Sequence, residues 1–239
     1  MSTGTCYTME PPTEVAAAAT AHTENQPAYS ADNEHEDLSQ NRSRSYHIYH
    51  NHWHRDYNIT TPTGQQLYYV DSSSFTVNKP DLTVHMGIDN KAPVIATCKF
   101  MHFSRDFCVG LGDPQSPNQV DWEDVICQGF RRNNYRWQMN LPSGRHTFVW
   151  KRTHSVGVED VPLSSISYRN FKLVDESTGQ VLAVFTNDYL STKKAGDFQV
   201  YADYGRGFNL ISLITVLALY EKGSRRHRRI AAAGGGAGG

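Results

Sequence analysis

Cysteine is sparse in this chain and carries no pattern. The four residues Cys6, Cys98, Cys108 and Cys127 form no C-x-x-C pair and stand apart from closely spaced histidines. That argues against a disulfide scaffold or a zinc module and leaves the expectation of buried, reduced thiols. A basic start and a long apolar run are both missing near the N-terminus, so no secretory leader is expected and the chain reads as intracellular: cytoplasmic, peripheral at membranes, or nuclear. Signatures of catalysis are missing as well. There is no Gly-x-Ser-x-Gly elbow, no phosphate-cradling glycine loop and no His-Glu-x-x-His, while Gly205-Arg-Gly207 runs straight into an apolar segment. The carboxylates of Asp121-Trp-Glu123-Asp124 read as an exposed strand entry. A non-enzymatic protein without a cofactor is expected; the competing reading is an enzyme whose residues converge only in the fold.

Basic residues are absent from the first forty positions, which hold Glu10, Glu14, Glu24, Asp32, Glu34, Glu36 and Asp37. This stretch carries −7 of a formal net charge of −1, so the remainder carries +6. Such a body suits contact with phosphates or anionic lipid but falls far short of a nucleic-acid-binding signature. Residues 1–45, rich in Ala, Thr, Glu, Asn, Ser and Pro, bury too little to offset their ordering entropy and are expected to be a disordered acidic tail. Residues 223–239, basic and then Gly/Ala-rich, are expected to be a flexible tail.

Between the tails the pattern is of short strands. They are expected at 66–71, 75–78, 82–86, 94–100, 107–111, 125–130, 135–140, 146–152, 170–175, 181–186 and 198–202, where β-branched and aromatic residues concentrate and Gly, Pro, Asn and Asp punctuate the gaps. Leu141-Pro-Ser-Gly144 and Asp175-Glu-Ser-Thr-Gly179 are hairpin signals that imply antiparallel pairing. The rhythm is that of a barrel or sandwich. It breaks once, at Phe208–Tyr220, where the only polar residues are Asn209, Ser212 and Thr215 at i, i+3 and i+6, followed by small Ala218. A helix apolar on nearly every side must be surrounded. Thirteen residues span only about 20 Å, short of a bilayer core of about 30 Å, so enclosure by protein is expected over residues 207–222.

Short strands, the hairpin Phe171-Lys-Leu-Val-Asp-Glu-Ser-Thr-Gly179, then Phe198-Gln-Val-Tyr201 and a terminal all-apolar helix together resemble the tubby C-terminal, LURP-one-related and phospholipid scramblase superfamily. In detail the chain is similar to fungal tubby-like proteins. The resemblance covers residues 46–222 and implies a mainly β fold, a twelve-stranded antiparallel closed barrel enclosing one hydrophobic C-terminal helix. It also implies a binding module for anionic phospholipid headgroups, phosphoinositides among them, or for a protein partner, with a scramblase-like lipid mover as the alternative. Gly196–Asp203 has two carboxylates and no Asp-x-Asp-x-Asp-Gly loop, so calcium dependence does not carry over.

Basic residues recur near expected turns: Arg131 and Arg132 with Arg136 and Trp137, Lys151 and Arg152 with His154, and Lys193 with Lys194. Such side chains can grip phosphates, although Lys and Arg also simply keep a β-protein soluble. Arg225, Arg226, Arg228 and Arg229 place four guanidinium groups in five residues and suit anionic membrane, nucleic acid or an import receptor. His50, His52 and His54 would share one face of an extended strand at a spacing a metal can bridge; with no carboxylate or cysteine nearby, a solvated edge is the plainer reading.

Overall fold

The structure, a computed structural model, describes residues 43–51, 56–74, 79–116, 120–129, 134–158 and 169–234. Six strands come first: β1 (Arg44–His50), β2 (Tyr57–Thr60), β3 (Gln66–Ser72), β4 (Leu82–His85), β5 (Val94–Phe100) and β6 (Phe107–Leu111). Six more follow: β7 (Asp121–Gln128), β8 (Asn134–Leu141), β9 (Gly144–Arg152), β10 (Phe171–Asp175), β11 (Val181–Asn187) and β12 (Lys194–Val200). Each strand pairs antiparallel with its neighbours in sequence, and β1 closes the ring on β12 through Tyr46↔Phe198 and His47↔Asp197. The fold is thus a closed twelve-stranded antiparallel barrel around the one helix among the described residues, α1 (Gly205–Gly234), whose 208–220 stretch is packed within it.

Period-two alternation builds the wall. On β1, Tyr46 and Ile48 are buried while the alternating His47 and Tyr49 are only half-buried, and on β2 Tyr57 and Ile59 face the core. Neither strand was among those expected, and the expected strand at 75–78 lies outside the described residues. β7 starts four residues before the expected strand, so Asp121–Asp124, expected as a strand entry, is the first half of the strand and pairs with β6. Both hairpins form as expected. Leu141 pairs with Gly144. In the other, one Asp175 carboxylate oxygen accepts the Ser177 and Thr178 N–H groups at 2.8 and 3.0 Å, and Gly179 supplies the turn's positive φ of 73°.

Every residue from Phe208 to Tyr220 is buried. Phe208 packs on Phe148 and Trp137 near one end of the barrel, and Tyr220 packs on Phe185 near the other. Each fully enclosed Leu, Ile or Phe contributes about 1.5–3 kcal/mol, so this one segment supplies a large part of the core. The helix does not stop near Lys222 as expected. It continues to Gly234, because Glu221 accepts from Arg225 and Arg228, one and two turns on, and Gly223 is passed without a break. Residues 223–234 are therefore helix and not a flexible tail; residues 1–42 lie outside the described set. Among the described residues no helix is long and apolar enough to cross a membrane. Cys98 and Cys127 are free thiols, as expected for both.

Candidate anionic-ligand site

The antiparallel register carries the links after β1, β3, β5, β7, β9 and β11 to one end of the barrel, as His50↔Tyr57, Ser72↔Leu82, Phe100↔Phe107, Gln128↔Asn134, Arg152↔Phe171 and Asn187↔Gly196 show. The helix leaves by that same end. Tyr220 meets His50 Nε2 through its hydroxyl at 3.0 Å, and Lys222 Nζ donates to the carbonyls of Ser104 and Asp106 at 3.3 and 3.1 Å.

Between the emerging helix and the ends of β3–β6, β8, β9 and β10 lies a cavity of about 890 Å³. Its lining includes eight cations (Lys79, Lys99, Arg105, Arg152, Lys222, Arg225, Arg226 and Arg229) against one carboxylate, Asp81. Helical spacing explains the inner wall, since 222, 225, 226 and 229 fall on one face. The cations differ in what holds them. Arg225 is committed to the fold, donating to Asp81 at 2.6 Å, to Glu221 at 2.8 Å and to the Ser73 carbonyl at 2.7 Å. Lys79 pairs with Asp71. Lys99, Arg152 and Arg226 make no ion pair among the described residues, so their charge is available to a ligand. Lys222 stands over the rings of Phe100 and Phe107 at 4.9 and 5.6 Å, and burial holds its amine below its ordinary range even with Asp106 and Asp81 opposing that shift.

Beneath the cavity the helix is fixed by a buried carboxylate. Glu221 accepts the Tyr57 hydroxyl at 2.5 Å, Arg225 at 2.8 Å and Arg228 at 2.8 Å. Burial, and then Glu221, pushes the Tyr57 hydroxyl well above its ordinary value. Burial opposes charge on Arg225 too, but Glu221 and Asp81 outweigh it and the guanidinium is held more firmly protonated.

The outer lip is the β5–β6 turn, Met101–Asp106. Asp106 locks it, accepting the Cys127 N–H at 2.7 Å on one oxygen and the Ser104 hydroxyl at 3.0 Å on the other. At its tip Phe103 is fully exposed and has φ +56°, the one positive value outside glycine among the described residues. For a bulky side chain that backbone costs about 1–2 kcal/mol.

Of the residues singled out in the sequence, Arg152, Arg225, Arg226 and Arg229 line the cavity. Arg228 turns to Glu221 instead. Lys151 is exposed beside Lys172, away from the cavity, and Lys194 is bound to Asp197 at 2.6 Å. Lys193 is exposed, and its carbonyl accepts the His50 N–H. Arg131, Arg132, His52 and His54 lie outside the described residues, and His50 faces Tyr57 and Tyr220. No cluster of three metal-ligating side chains occurs among the described residues. Lys79, Lys99, Arg105 and Lys222 were missed: each is an isolated cation in the sequence and becomes a neighbour of the others only when the barrel closes.

A second polar group lies at the opposite end. Ser143 Oγ is 2.7 Å from His146 Nε2, and His146 Nδ1 is 3.8 Å from Asp175. The order is that of a serine nucleophile, but 3.8 Å is too long for the bond that would orient the imidazole. Burial raises the Asp175 carboxyl, and the hydrogen bonds from Ser177 and Thr178 more than reverse this, so it stays below its ordinary range as the lock of its own turn.

No family model and no curated protein matches this sequence. Among solved structures, the chain is similar to an X-ray structure of an Arabidopsis thaliana protein, at 11% identity and a TM-score of 0.43, over 73% of this chain and 88% of that one.

Proposed function

We propose that the chain is a non-enzymatic module that binds the phosphate-bearing headgroups of anionic phospholipids in the cavity beside the helix exit. The observation that carries this reading is the lining: eight cations and one carboxylate around about 890 Å³, a volume within the range of small-ligand sites. Arginine supports it, since a guanidinium offers a fork of donors to phosphate oxygens at fixed geometry. Half-buried cations over aromatic rings, as at Lys222 and Phe100, are less screened by salt than exposed ones. The lipid-moving alternative would require Phe208–Tyr220 to leave the barrel for the bilayer, emptying the core of its largest apolar element. Headgroup capture needs no such change.

The test is co-sedimentation of the full chain with phosphatidylcholine vesicles, with and without phosphatidylinositol bisphosphate, across a salt series. Binding that depends on the phosphoinositide, weakens with salt and is displaced by soluble inositol polyphosphate is expected. Equal recovery on neutral vesicles at low salt would overturn the headgroup reading. Loss of vesicle binding with retained capture of an acidic peptide would assign the cavity to a protein partner instead.

A further inference from the structure

A singly exposed apolar residue is ordinary on a protein surface and needs no function. Phe103 departs from that in three ways at once. It stands fully in solvent, its backbone is left-handed although it is not glycine, and it forms part of the lip of the basic cavity. The turn that presents it is held from several sides. Met101 N–H donates to the Asp106 carbonyl at 3.3 Å, Asp106 is tied to Cys127, and Lys222 reaches up from the helix to the Ser104 and Asp106 carbonyls. The structure therefore spends backbone strain and several hydrogen bonds on holding outward a fully exposed ring. Observed strain at a fixed, exposed side chain is a ground for inferring function.

We propose that Phe103 is an interfacial anchor, set into the boundary between headgroups and acyl chains of an anionic bilayer while the adjoining cavity holds a lipid phosphate. The inference rests on the headgroup reading above and adds how the surface is met. Charge complementarity selects the partner: Lys99, Arg105, Arg152, Arg226 and Arg229 line the cavity whose lip Phe103 helps to form, and an aromatic ring beside a cationic cavity matches the headgroup layer of an anionic leaflet. Leu190, 91% exposed on the β11–β12 turn, provides the contrast. It stands at the same end but six strands around the ring, and it is not part of the cavity lining.

Full-length Phe103→Gly, Phe103→Trp and Leu190→Ser proteins are compared with the parent on vesicles containing phosphatidylinositol bisphosphate and, by calorimetry, with soluble inositol hexakisphosphate. Glycine suits the left-handed backbone, so Phe103→Gly should melt no lower than the parent. It should bind vesicles about tenfold or more weakly, from the lost burial of one aromatic ring, with unchanged affinity for the soluble polyphosphate. The Phe103→Trp protein should keep vesicle affinity and show added indole emission that brominated lipid quenches. Leu190→Ser should match the parent. Parent-like vesicle binding by Phe103→Gly, or equal loss in the Leu190→Ser protein, overturns the anchor while leaving headgroup capture intact. Weakened polyphosphate binding by Phe103→Gly overturns it too, by assigning the ring to the cavity. If the parent binds neither the polyphosphate nor the vesicles, the headgroup reading fails and the anchor with it.

Discussion

Trp150 on β9 donates its indole proton to Thr215 Oγ1 on α1 at 2.8 Å, and Thr215 passes its own proton to the Ser212 carbonyl at 3.0 Å. Both side chains are fully buried, so this short chain of bonds is a polar rivet between wall and core helix inside an otherwise apolar interior. Thr215→Val keeps the shape and leaves the indole N–H without an acceptor. It should lower stability by about 1–3 kcal/mol in urea unfolding, whereas Thr215→Ser should recover most of the loss. Ser212→Ala is the counter-case: that hydroxyl is buried and makes no bond, so its removal should be neutral or mildly stabilising.

Leu213 and Leu217 lie one turn apart on α1, both enclosed. An aspartate at either would bury an unpaired carboxylate at several kcal/mol, comparable with the whole stability of a domain. Leu213→Asp and Leu217→Asp proteins should be insoluble or show no cooperative transition in circular dichroism melts. An unchanged transition in both would refute a helix enclosed by the barrel.

The two neighbouring arginines 225 and 226 should separate stability from binding. Arg225→Ala strips Asp81 and Glu221 of a partner in a largely buried setting and should cost about 3 kcal/mol, with Arg228 still on Glu221 limiting the damage. Arg226→Ala combined with Lys99→Ala should leave the melting temperature unchanged, because neither makes an ion pair among the described residues. The same pair should weaken vesicle binding and flatten its salt dependence.

Alkaline pH should unfold the protein. Burial is the main cause that raises the hydroxyls of Tyr46, Tyr57, Tyr69 and Tyr220, and it raises Tyr135 to about 12. In the unfolded chain tyrosines ionise near 10, so above that pH the folded state holds more protons and stability falls. What these tyrosines contribute is whole below about pH 10 and is lost as pH climbs through their folded values. Lys222, lowered by burial, acts in the opposite sense just below its ordinary value, one group against five. Tyrosinate absorbance should rise in one step that coincides with loss of the circular dichroism signal; ionisation that precedes unfolding would contradict this.

Much of the architecture was legible because it rests on local periodicity. The thirteen-residue apolar run identified the core helix, and the turn residues at Leu141–Gly144 and Asp175–Gly179 identified their hairpins. β1 and β2 escaped notice since Tyr46/Ile48 and Tyr57/Ile59 are brief alternations on either side of a histidine cluster that drew attention to itself. The helix end was misread because Gly223 followed by arginines resembles a cap and a solvated tail. What carries the helix onward is burial of Glu221 by Tyr57, a residue 164 positions away, and no local pattern reveals that. The cavity was hidden for the same reason: Lys79, Lys99 and Arg152 belong to distant stretches, and only ring closure sets them around Lys222 and Arg226.

Closure of β1 onto β12 also decides how this protein can be approached. An open sheet presents a row of unsatisfied peptide groups along its margin, and many recognition modules use that margin to capture an extended peptide as one more strand. Here every strand has two neighbours, so backbone-templated capture is closed off, and so is the self-association that bare margins invite. Side chains at the barrel's mouths and on the protruding helix are left as the means of discrimination. Selectivity in this molecule is therefore a property of a few substitutable residues on a wall that need not change with them.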